Sequence, residues 1–428
     1  MSEVGLKIYT LCKKIFPINR SITGDGVRET LNILKKEIPS LLIHEVRTGT
    51  KCFDWNIPQE WNIDDGYILN PSGNKIVNFR ENNLHVMGYS IPVDQNIKLS
   101  DLNKHLYSIP EMPDAIPYVT SYYKENWGFC ITHNQRKKLV DGIYRVKINS
   151  QLTDGKLTYA ELLIPGETNQ EVFLSTYICH PSMGNNETSG PALVTFLAKY
   201  LINLKNRRYS YRIIFVPETI GSILYLSKNF ESMKNNIIAG FNVTCVGDNN
   251  DYSFLPSRSG NSLSDKVAKH VLKHATDSYS LYSFLERGSD ERQYCSPLVD
   301  LPIASIMRTK YGEYDEYHTS LDDLNFISEE GLNGAYQVYI KALDAIENNN
   351  VYIANNKCEP QLGKRGLYPN TSLKTTKDIV RNMMNILAFC DGRTDLISIA
   401  EIINVPIWDL YEIISSLMDN DIVSIHNT

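Results

Sequence analysis

The sequence predicts an α/β protein with a doubly wound, mostly parallel sheet, a small inserted β-rich domain and a C-terminal winged-helix domain. The first observation is that apolar strands alternate with amphipathic helices between about residues 157 and 247, the pattern of βαβ units. The second is that residues 42–149 carry short alternating runs separated by turn residues. The third is that the tail beyond residue 357 follows the order helix, helix, helix, strand, which is typical of a winged helix.

The individual elements follow from local patterns along the chain. Apolar residues at helical spacing predict helices over residues 4–14 and 26–37, joined by a loop at 17–24. The core strands and helices alternate as LTYAELLIPG, EVFLSTYICH, GPALVTFLAKYLINL, YRIIFVPE, SILYLSKNF and IIAGFNVTCVG. The tail contains the helical runs TTKDIVRNMMNILAFC, LISIAEIIN and IWDLYEIISSLMDN and the short strand IVSIH. The polar tract from Glu347 to Asn356 is interpreted as a linker between core and tail.

The length and these patterns together predict the domain boundaries. A chain of 428 residues has room for two or three domains at about 150 residues each. We expect an α/β domain formed by residues 1–41 and 150–346, because the opening helices and the βαβ region both suit such a core. The inserted β-rich domain is expected at residues 42–149, and the winged-helix domain at residues 357–428.

Composition argues against several functional classes. The net charge is −6, so overall charge does not draw the chain to a polyanion. The run IWDLYEIISSLMDND lacks lysine and arginine, which argues against a nucleic-acid partner and favours packing or homo-oligomer formation through the C-terminal domain. There is no 18-residue apolar stretch and no leader-like N-terminus, and the eight cysteines are scattered singly. We therefore expect a cytoplasmic protein with reduced thiols and no membrane partner.

Three polar stretches are candidates for chemistry. Their acidic and imidazole residues are His180 and Glu187 in CHPSMGNNETSG, Glu218 in VPETIGS, and His318 in YHTSLDD. Imidazole and carboxylate are good zinc ligands, and a carboxylate beside an apolar strand can have a raised pKa suited to a general base. Asp322 or Asp323 can orient the His318 ring. Each stretch alone fits a helix cap or a turn, so the prediction of a site depends on their conjunction.

Together these residues resemble the zinc aminopeptidases that have a phosphorylase/hydrolase-like core and two co-catalytic zincs. The matching positions, in chain order, are His180, Ser189-Gly190, Glu218, Gly221-Ser222, Ser289-Asp290 and Tyr317-His318-Thr319. More closely, CHPSMGNNETSG, PETIGS, GSDERQYCSP and YHTSLDD resemble bacterial proteins with an aminopeptidase-like domain, an inserted β domain and a C-terminal winged helix, whose genes often lie in surface-polysaccharide clusters. The resemblance implies a zinc-exopeptidase fold, with its core motifs between about residues 150 and 345.

The chain departs from the two-zinc pattern at three acidic positions. Asn186 stands where the bridging Asp would be, Thr219 where the second Glu of a Glu-Glu pair would be, and Thr244 at the place of the third acidic ligand. The resemblance therefore implies one zinc per chain, held by His180, Glu187 and His318, with water at an open fourth position. The choice of Asn186, Glu187, Asp248 or Asp290 as the ligand beside the two histidines stays open.

The resemblance also implies roles for the remaining polar residues. Glu218 would take a proton from the water and return it to the leaving amine. The loop residues Asp290, Glu291 and Arg292 would bind substrate, the carboxylates holding an amine and the guanidinium a carboxylate or oxyanion; the alternative is a surface salt-bridge cluster. Further substrate-binding candidates are Arg20, which needs an anionic partner if buried, and Tyr311. The aromatic residues Trp55, Tyr122 and Tyr123 can either wall the pocket or fill a core.

The leading functional prediction is a zinc-dependent hydrolase of amide bonds, most simply an aminopeptidase, acting on a small peptide or an N-acylated small molecule. One alternative is an N-acyl amidase that acts on an amino sugar, which uses the same zinc and water chemistry. A second alternative is a non-catalytic metal-binding protein with a regulatory or interaction role. The missing acidic ligands favour this second alternative, whereas His180, Glu218 and His318 argue against it.

Overall fold

A computed structural model describes residues 3–367 and 374–426 of the chain. Its helices are α1 Glu3–Ile15, α2 Asp25–Glu37, α3 Leu99–Leu102, α4 His133–Lys137, α5 Ser189–Asn203, α6 Ile220–Asn236, α7 Leu263–Ala275, α8 Glu291–Tyr294, α9 Glu329–Asn348, α10 Lys374–Phe389, α11 Leu396–Ile403 and α12 Tyr411–Asp419. Its strands are β1 Leu42–Arg47, β2 Lys51–Cys52, β3 Trp55–Asn56, β4 Glu60–Leu69, β5 Lys75–Asn78, β6 Val93–Lys98, β7 Leu106–Tyr107, β8 Phe129–Cys130, β9 Ile143–Thr153, β10 Lys156–Ile164, β11 Glu171–Tyr177, β12 Ser210–Val216, β13 Ile237–Asn242, β14 Ser253–Leu255, β15 Ser280–Leu281, β16 Ile303–Met307, β17 Val351–Ala354, β18 Asp391–Asp395 and β19 Val423–Ile425.

The core is a mixed sheet in the order β1-β10-β12-β11-β13-β16-β14-β15. Its central strands are parallel, since β11 pairs with β12 and β13 in the same direction and β13 pairs with β16 likewise. Every residue of β11 is buried, as expected for a strand covered on both faces. The predicted α/β fold with a mostly parallel centre is confirmed, and antiparallel strands β1, β10 and β14 extend it on either side.

The β-rich block has its own antiparallel sheet, in the order β5-β4-β9-β6. Its core includes Ile68, Val77, Phe129, Tyr144 and Val146, all nearly inaccessible to solvent. The first strand assigned to this block, β1, pairs instead with β10 at the edge of the large sheet. The block lies within one compact unit, Met1–Ser264 and Ser280–Gln337, together with the large sheet. Its predicted status as a separate domain stays a prediction.

One segment of the inserted block pairs with the loop that carries His318. Pro117 forms an antiparallel bridge with Thr319, and the Tyr118 amide donates a 2.9 Å hydrogen bond to the His318 carbonyl. This pairing brings the side chains around Tyr118 to the end of the large sheet. The sequence pattern of the block did not predict this contact, because local periodicity does not show which distant loop a segment pairs with.

The second compact unit comprises Asp265–Tyr279 and Val338–Thr428. A three-stranded sheet in the order β18-β17-β19 accompanies helices α10, α11 and α12 in this unit. The interpretation of Glu347–Asn356 as a linker was wrong, because α9 extends to Asn348 and β17 pairs antiparallel with both other strands. The four consecutive apolar residues VYIA, of which Tyr352 is buried, account for a strand within an otherwise polar tract.

Within the described residues, none of the helices combines the length and the apolar character needed to cross a bilayer. The predicted cytoplasmic location and the predicted homo-oligomer stay predictions.

Candidate metal centre

The three candidate stretches converge at one edge of the large sheet. His180 lies just beyond the end of β11, and Glu218 lies just beyond the end of the adjacent parallel strand β12. His318 lies in the loop that follows β16, and all three side chains line one cavity of about 330 Å³. The carboxyl ends of parallel strands are the usual position of ligand sites in such sheets. The predicted convergence of His180, Glu218 and His318 is thus present in the structure.

The His180 ring presents its two nitrogens to different partners. Its Nδ1 lies 3.0 Å from Oε2 of Glu187, and its Nε2 lies 3.7 Å from Oε2 of Glu218. Burial lowers the pKa of His180 to about 3, so the ring is neutral near pH 7. With a proton on Nδ1 donated to Glu187, the Nε2 lone pair is left to face the cavity. This is the arrangement in which a carboxylate orients a metal-binding histidine.

Glu187 contacts His180 on the ring nitrogen that faces away from Glu218. Its Oε1 lies 3.5 Å from Nε of the buried Arg20, which also donates to the Ile15 carbonyl. Burial raises the pKa of Glu187 to about 8, and Arg20 opposes that shift. The structure therefore places Glu187 as a partner of His180, a different position from that of the predicted ligand. Arg20 does not line the cavity, although it was predicted to contact substrate.

His318 is held in an unusual position. Its φ of 56° is in the left-handed region, and its Nε2 is buried without a hydrogen-bond partner among the described residues. Its ring centroid lies 5.3 Å from that of His180, and the Tyr118 ring lies 5.1 and 5.2 Å from the two imidazoles. Burial lowers the pKa of His318 to about 3. A buried imidazole nitrogen without a partner indicates that something else binds there.

Asp322 connects the loops that carry the two histidines. Its two carboxylate oxygens accept hydrogen bonds of 2.6 and 3.0 Å from the amides of Asn185 and Asn186, at a π-helical turn over Gly184–Thr188. The Gly184 amide donates a 2.7 Å bond to the Asp322 carbonyl, and a side chain on Gly184 would collide with the Asp323 carbonyl. Asp322 therefore stabilises the turn that follows His180. Its predicted role, orienting the His318 ring, stays a prediction.

Glu218 precedes a strained turn that Asp290 stabilises. Thr219 has φ 62° and ψ −75°, and the Ile220 amide donates a 2.8 Å bond to the Glu218 carbonyl, which defines a γ-turn of the rare, strained form. Oδ1 of the buried Asp290 accepts a 2.7 Å bond from the Thr219 amide and a 2.9 Å bond from the Ser222 hydroxyl. Asp290 thus stabilises the backbone that presents Glu218.

The Glu218 carboxyl has a perturbed pKa. Burial raises this pKa to about 8, the nearby Asp290 adds to the shift, and Arg292 opposes it. Arg292 itself donates a 3.0 Å hydrogen bond to the Thr219 hydroxyl and is exposed to solvent. A carboxyl with a pKa near the working pH can both take and return a proton, which is the property of a general base.

Glu291 and Tyr311, two further residues predicted to bind substrate, form a hydrogen bond with each other. Oε1 of Glu291 accepts bonds from the Tyr311 hydroxyl at 2.6 Å and from the amides of Gly288 and Ser289, and its Oε2 accepts a 3.1 Å bond from the Asn242 side chain. Neither Glu291 nor Tyr311 lines the cavity, and the same is true of Asp290 and Arg292. The predicted contact of these four residues with substrate stays a prediction. In the structure, the hydrogen bonds described above hold these side chains in place.

The acidic positions missing from the two-zinc pattern form a neutral cluster. The Tyr177 hydroxyl donates a 2.8 Å bond to Oδ1 of Asn186 and lies 2.5 Å from the Thr244 hydroxyl, which donates to the Asn186 carbonyl. Asp248, which was left open as a ligand, accepts hydrogen bonds from Asn185 and Thr309. Asn186 and Thr244, two of the positions that are acidic in the two-zinc pattern, are thus held in a network of neutral groups.

The residues around the cavity include donor types that bind zinc. Potential ligand atoms of Cys179, His180 and Glu218 all lie within 4.8 Å of one another, and the unpartnered Nε2 of His318 lies on the same cavity. Burial raises the pKa of the Cys179 thiol well above its usual value, and its Sγ accepts a 3.2 Å bond from the Glu218 amide. The neutral imidazoles and the carboxylate are therefore better zinc donors than this thiol.

A second group of potential ligands, in the C-terminal unit, was missed by the sequence analysis. His270 Nδ1 lies 2.5 Å from Oε1 of Glu401, and His274 Nε2 lies 3.9 Å from the same oxygen. The Ile407 amide donates a 2.9 Å bond to His270 Nε2, so both ring nitrogens of His270 have protein partners. The spacing of two histidines four residues apart, which places both on one face of a helix, is the signal that could have found this group.

Comparisons with known proteins agree with this fold. A family described as "Domain of unknown function (DUF4910)" matches residues 9–349, and a winged helix-turn-helix family matches residues 350–425. A Clostridium acetobutylicum protein, provisionally named for polysaccharide biosynthesis and an aminopeptidase-like domain, is 49% identical over 401 residues, which are 93% of this chain and 92% of that protein.

Solved structures give the same result. A crystal structure of a provisionally named peptidase from Clostridium acetobutylicum has a TM-score of 0.93 and 46% identity, covering 99% of this chain and 97% of that one. A zinc aminopeptidase from Bacillus subtilis has a TM-score of 0.58 at 15% identity, covering 80% of this chain and 93% of that one, and shows the fold alone. The predicted resemblance and fold class are confirmed: the chain belongs to the family of the DUF4910 domain, with an aminopeptidase-like fold and a C-terminal winged helix.

Proposed function

We propose that the chain is a hydrolase of amide bonds that uses one zinc ion bound through Nε2 of His180 and Nε2 of His318, with Glu218 as the general base. The observation that carries this proposal is the convergence of two buried, neutral imidazoles and one carboxyl of raised pKa on a single cavity. When bound, zinc supplies a Lewis acid that polarises an amide carbonyl and lowers the pKa of water. Glu187 is proposed to orient His180, in place of its predicted role as a ligand.

Glu218 moves the proton in this proposal. Its carboxylate takes a proton from water and returns it to the nitrogen of the leaving amine. The γ-turn at Thr219 and the hydrogen bonds that Asp290 accepts fix the backbone beside Glu218. This fixed backbone supports an accurate position for the base without a rearrangement during the reaction.

A pair of tyrosines can supply a hydrogen-bond donor for the amide oxygen. The hydroxyls of Tyr118 and Tyr122 lie 2.7 Å apart, and both residues line the cavity. Each hydroxyl carries one proton, and the bond between them uses only one of the two. The remaining proton is free to be donated to the oxygen on which negative charge develops during hydrolysis.

The proposal is tested by zinc titration of metal-stripped protein in a calorimeter, combined with assays of amide hydrolysis. We expect wild-type protein to bind about one zinc per chain and to need it for turnover, because the described donors form one site. His318→Ala is expected to lose both properties. Two tight equivalents of zinc in wild-type protein would contradict the single-ion arrangement. Zinc binding without hydrolysis of any amide would favour the non-catalytic alternative.

A further inference from the structure

The charge of the cavity limits the substrates that fit it. Glu218 is the one carboxylate among the described lining residues, and that lining contains no lysine or arginine. The other lining side chains are the two histidines, a thiol, and aromatic, aliphatic and threonine residues. Since Glu218 is the proposed base and the proposed zinc would be occupied by water and the scissile amide oxygen, the described lining offers no further charged side chain for a substrate to pair with.

The carboxylates that could have held a substrate amine lie outside the lining of the cavity. Asp290 is fully buried and accepts hydrogen bonds from Thr219 and Ser222 through Oδ1, while its Oδ2 is buried with no hydrogen-bond partner among the described residues. Both oxygens of Glu291 accept hydrogen bonds, from Tyr311, Asn242 and backbone amides. An aminopeptidase substrate brings an α-ammonium group, which loses its hydration in a cavity and needs an anionic partner. This cavity does not offer one.

The same argument applies to anionic substrates. An N-acyl amino acid brings an α-carboxylate next to the scissile amide, and a desolvated carboxylate needs an arginine, a lysine or several donors. Arg292 donates to Thr219 and Ser289 and does not line the cavity, and Arg20 is buried against Glu187. The lining therefore favours a substrate that is uncharged on both sides of its amide bond.

The aromatic part of the lining indicates the shape of that substrate. Trp55 and Tyr123 line the cavity, are 38% and 60% exposed, and contact each other edge to face with ring centroids 5.5 Å apart. Large aromatic residues that remain exposed at the rim of a cavity are typical of ligand-binding surfaces. Their electron-rich faces suit the C–H faces of a saturated sugar ring. A volume of about 330 Å³ lies at the small end of the range for ligand pockets, which suits one ring with its acyl group.

We propose that the substrate is an N-acylated amino sugar, from which the site removes the acyl group. This inference rests on the proposed function, because it assigns a substrate class to the same zinc and base. The oxygen of water forms a bond to the acyl carbon, and the carbon–nitrogen bond breaks with its electron pair going to nitrogen. Glu218 transfers the proton from water to that nitrogen. The products are a carboxylic acid and a free amino sugar.

The test compares four amides of three kinds, uncharged, cationic and anionic, with zinc-loaded wild-type protein. The probes are the methyl glycosides of N-acetyl-D-glucosamine and N-acetyl-D-galactosamine, leucine p-nitroanilide with a free amine, and N-acetyl-leucine with a free carboxylate. Acetate, p-nitroaniline and amine release are measured. We expect at least one glycoside to be hydrolysed with a kcat/KM about 100-fold or more above that of either charged probe, since an unpaired charge in the cavity costs several kcal/mol.

A matched pair of variants tests the aromatic surface. Trp55→Ala is expected to raise KM for the glycoside about tenfold, at a cost typical of one lost aromatic contact, with zinc binding unchanged. Trp55→Phe should recover most of that loss. Leu298→Ala is the control, because Leu298 is 92% exposed and does not line the cavity.

Failure of this inference can be distinguished from failure of the proposed function. Hydrolysis of leucine p-nitroanilide or N-acetyl-leucine, but of neither glycoside, would overturn the sugar assignment and leave the amide hydrolase intact. An unchanged KM in Trp55→Ala would overturn the role of the aromatic surface. No hydrolysis of any probe by a protein shown to contain zinc would overturn the proposed function and the sugar assignment together.

Discussion

Two groups of two histidines and a glutamate occur in this chain, and they differ in what surrounds the ring nitrogens. In the aminopeptidase-like unit, His180 uses one nitrogen for Glu187 and presents the other towards Glu218 and a cavity. In the C-terminal unit, His270 is bound through one nitrogen to Glu401 and through the other to the Ile407 amide. The residue types are the same, and each group has one buried histidine nitrogen without a hydrogen-bond partner among the described residues, Nε2 of His318 and Nε2 of His274. His318 lines the cavity described above, whereas His270 and His274 do not.

This comparison shows that hydrogen-bond partners distinguish a metal site from a structural cluster better than residue identity does. A histidine binds a metal through a nitrogen lone pair. The Ile407 amide already occupies that lone pair on His270, and the proton on the other nitrogen points to Glu401. We therefore interpret the His270 group as a structural element of the C-terminal unit.

The largest expected effect is the loss of zinc binding when a histidine of the first group is removed. Removal of a histidine from the second group is the matched control. His180→Ala should abolish zinc binding and hydrolysis, because it removes one of two imidazole donors; the loss should exceed the roughly 10–100-fold that follows removal of an outer partner. His274→Ala should leave both properties unchanged. Calorimetric zinc titration and elemental analysis measure the effect. Loss of a zinc equivalent in His274→Ala would show that the C-terminal group also binds metal.

The next effect concerns the carboxylate that faces the cavity. Glu218→Gln should lower turnover by about 10²–10⁴-fold, because the amide preserves the shape of the side chain but cannot accept the proton. Zinc affinity should stay within a few-fold of wild type. If zinc content falls together with activity, Glu218 is a ligand instead of the base, as its distance of 3.7 Å from His180 Nε2 also allows.

A matched pair of carboxylate variants gives a smaller effect. Glu187 and Glu401 each lie within hydrogen-bond distance of a histidine Nδ1, at 3.0 and 2.5 Å. Glu187→Gln should weaken zinc binding by about 10–100-fold, because a neutral amide orients and polarises the imidazole less well. Hydrolysis should return at saturating zinc. Glu401→Gln should not alter zinc binding. An unchanged zinc affinity in Glu187→Gln would contradict the proposed orienting role.

The smallest effect is a shift along the pH axis. A base acts only when deprotonated, so kcat/KM should rise with pH and become constant above the pKa of Glu218, which burial raises to about 8 in the metal-free protein. The positive charge of bound zinc lowers this pKa. The rise of kcat/KM with pH, here called the limb, should therefore be centred between pH 4.5, the ordinary pKa of a glutamate, and pH 8. Arg292 also lowers this pKa, so Arg292→Gln should move the limb to higher pH. A shift to lower pH would contradict this assignment of the limb.

The sequence predicted the parts of the site that depend on strand order, and missed those that depend on side-chain direction. His180 and Glu218 follow apolar strands, so their meeting at one sheet edge could be inferred from the βαβ pattern. The orientation of the His180 ring could not be inferred, because six residues separate it from Glu187 and the position of Glu187 depends on the distant, buried Arg20. Tyr118 was not identified because its segment reaches the site through pairing with the loop of His318.

The fold gives a similar result: local sequence patterns predicted the helices and strands of the core, whereas strand pairing depends on tertiary packing. The alternating strands and helices of the core were predicted because each carries its own apolar period. The pairing of β1 with β10 was not, because an edge strand of the large sheet and a strand of the small sheet have similar local patterns. Strand β17 was missed because its four residues lie within a polar tract whose composition suggested a linker.

The carboxylate of Asp322, bound to the amides of Asn185 and Asn186, has a consequence for when zinc enters the protein. It joins the loop of His318 to the turn that follows His180 through hydrogen bonds to backbone amides. Zinc binding then requires little ordering of the chain, so its entropic cost is low. During synthesis, His180 leaves the ribosome well before Asp322. We therefore expect high zinc affinity to arise only after both loops have been made, and the folded chain to be the form that acquires the metal.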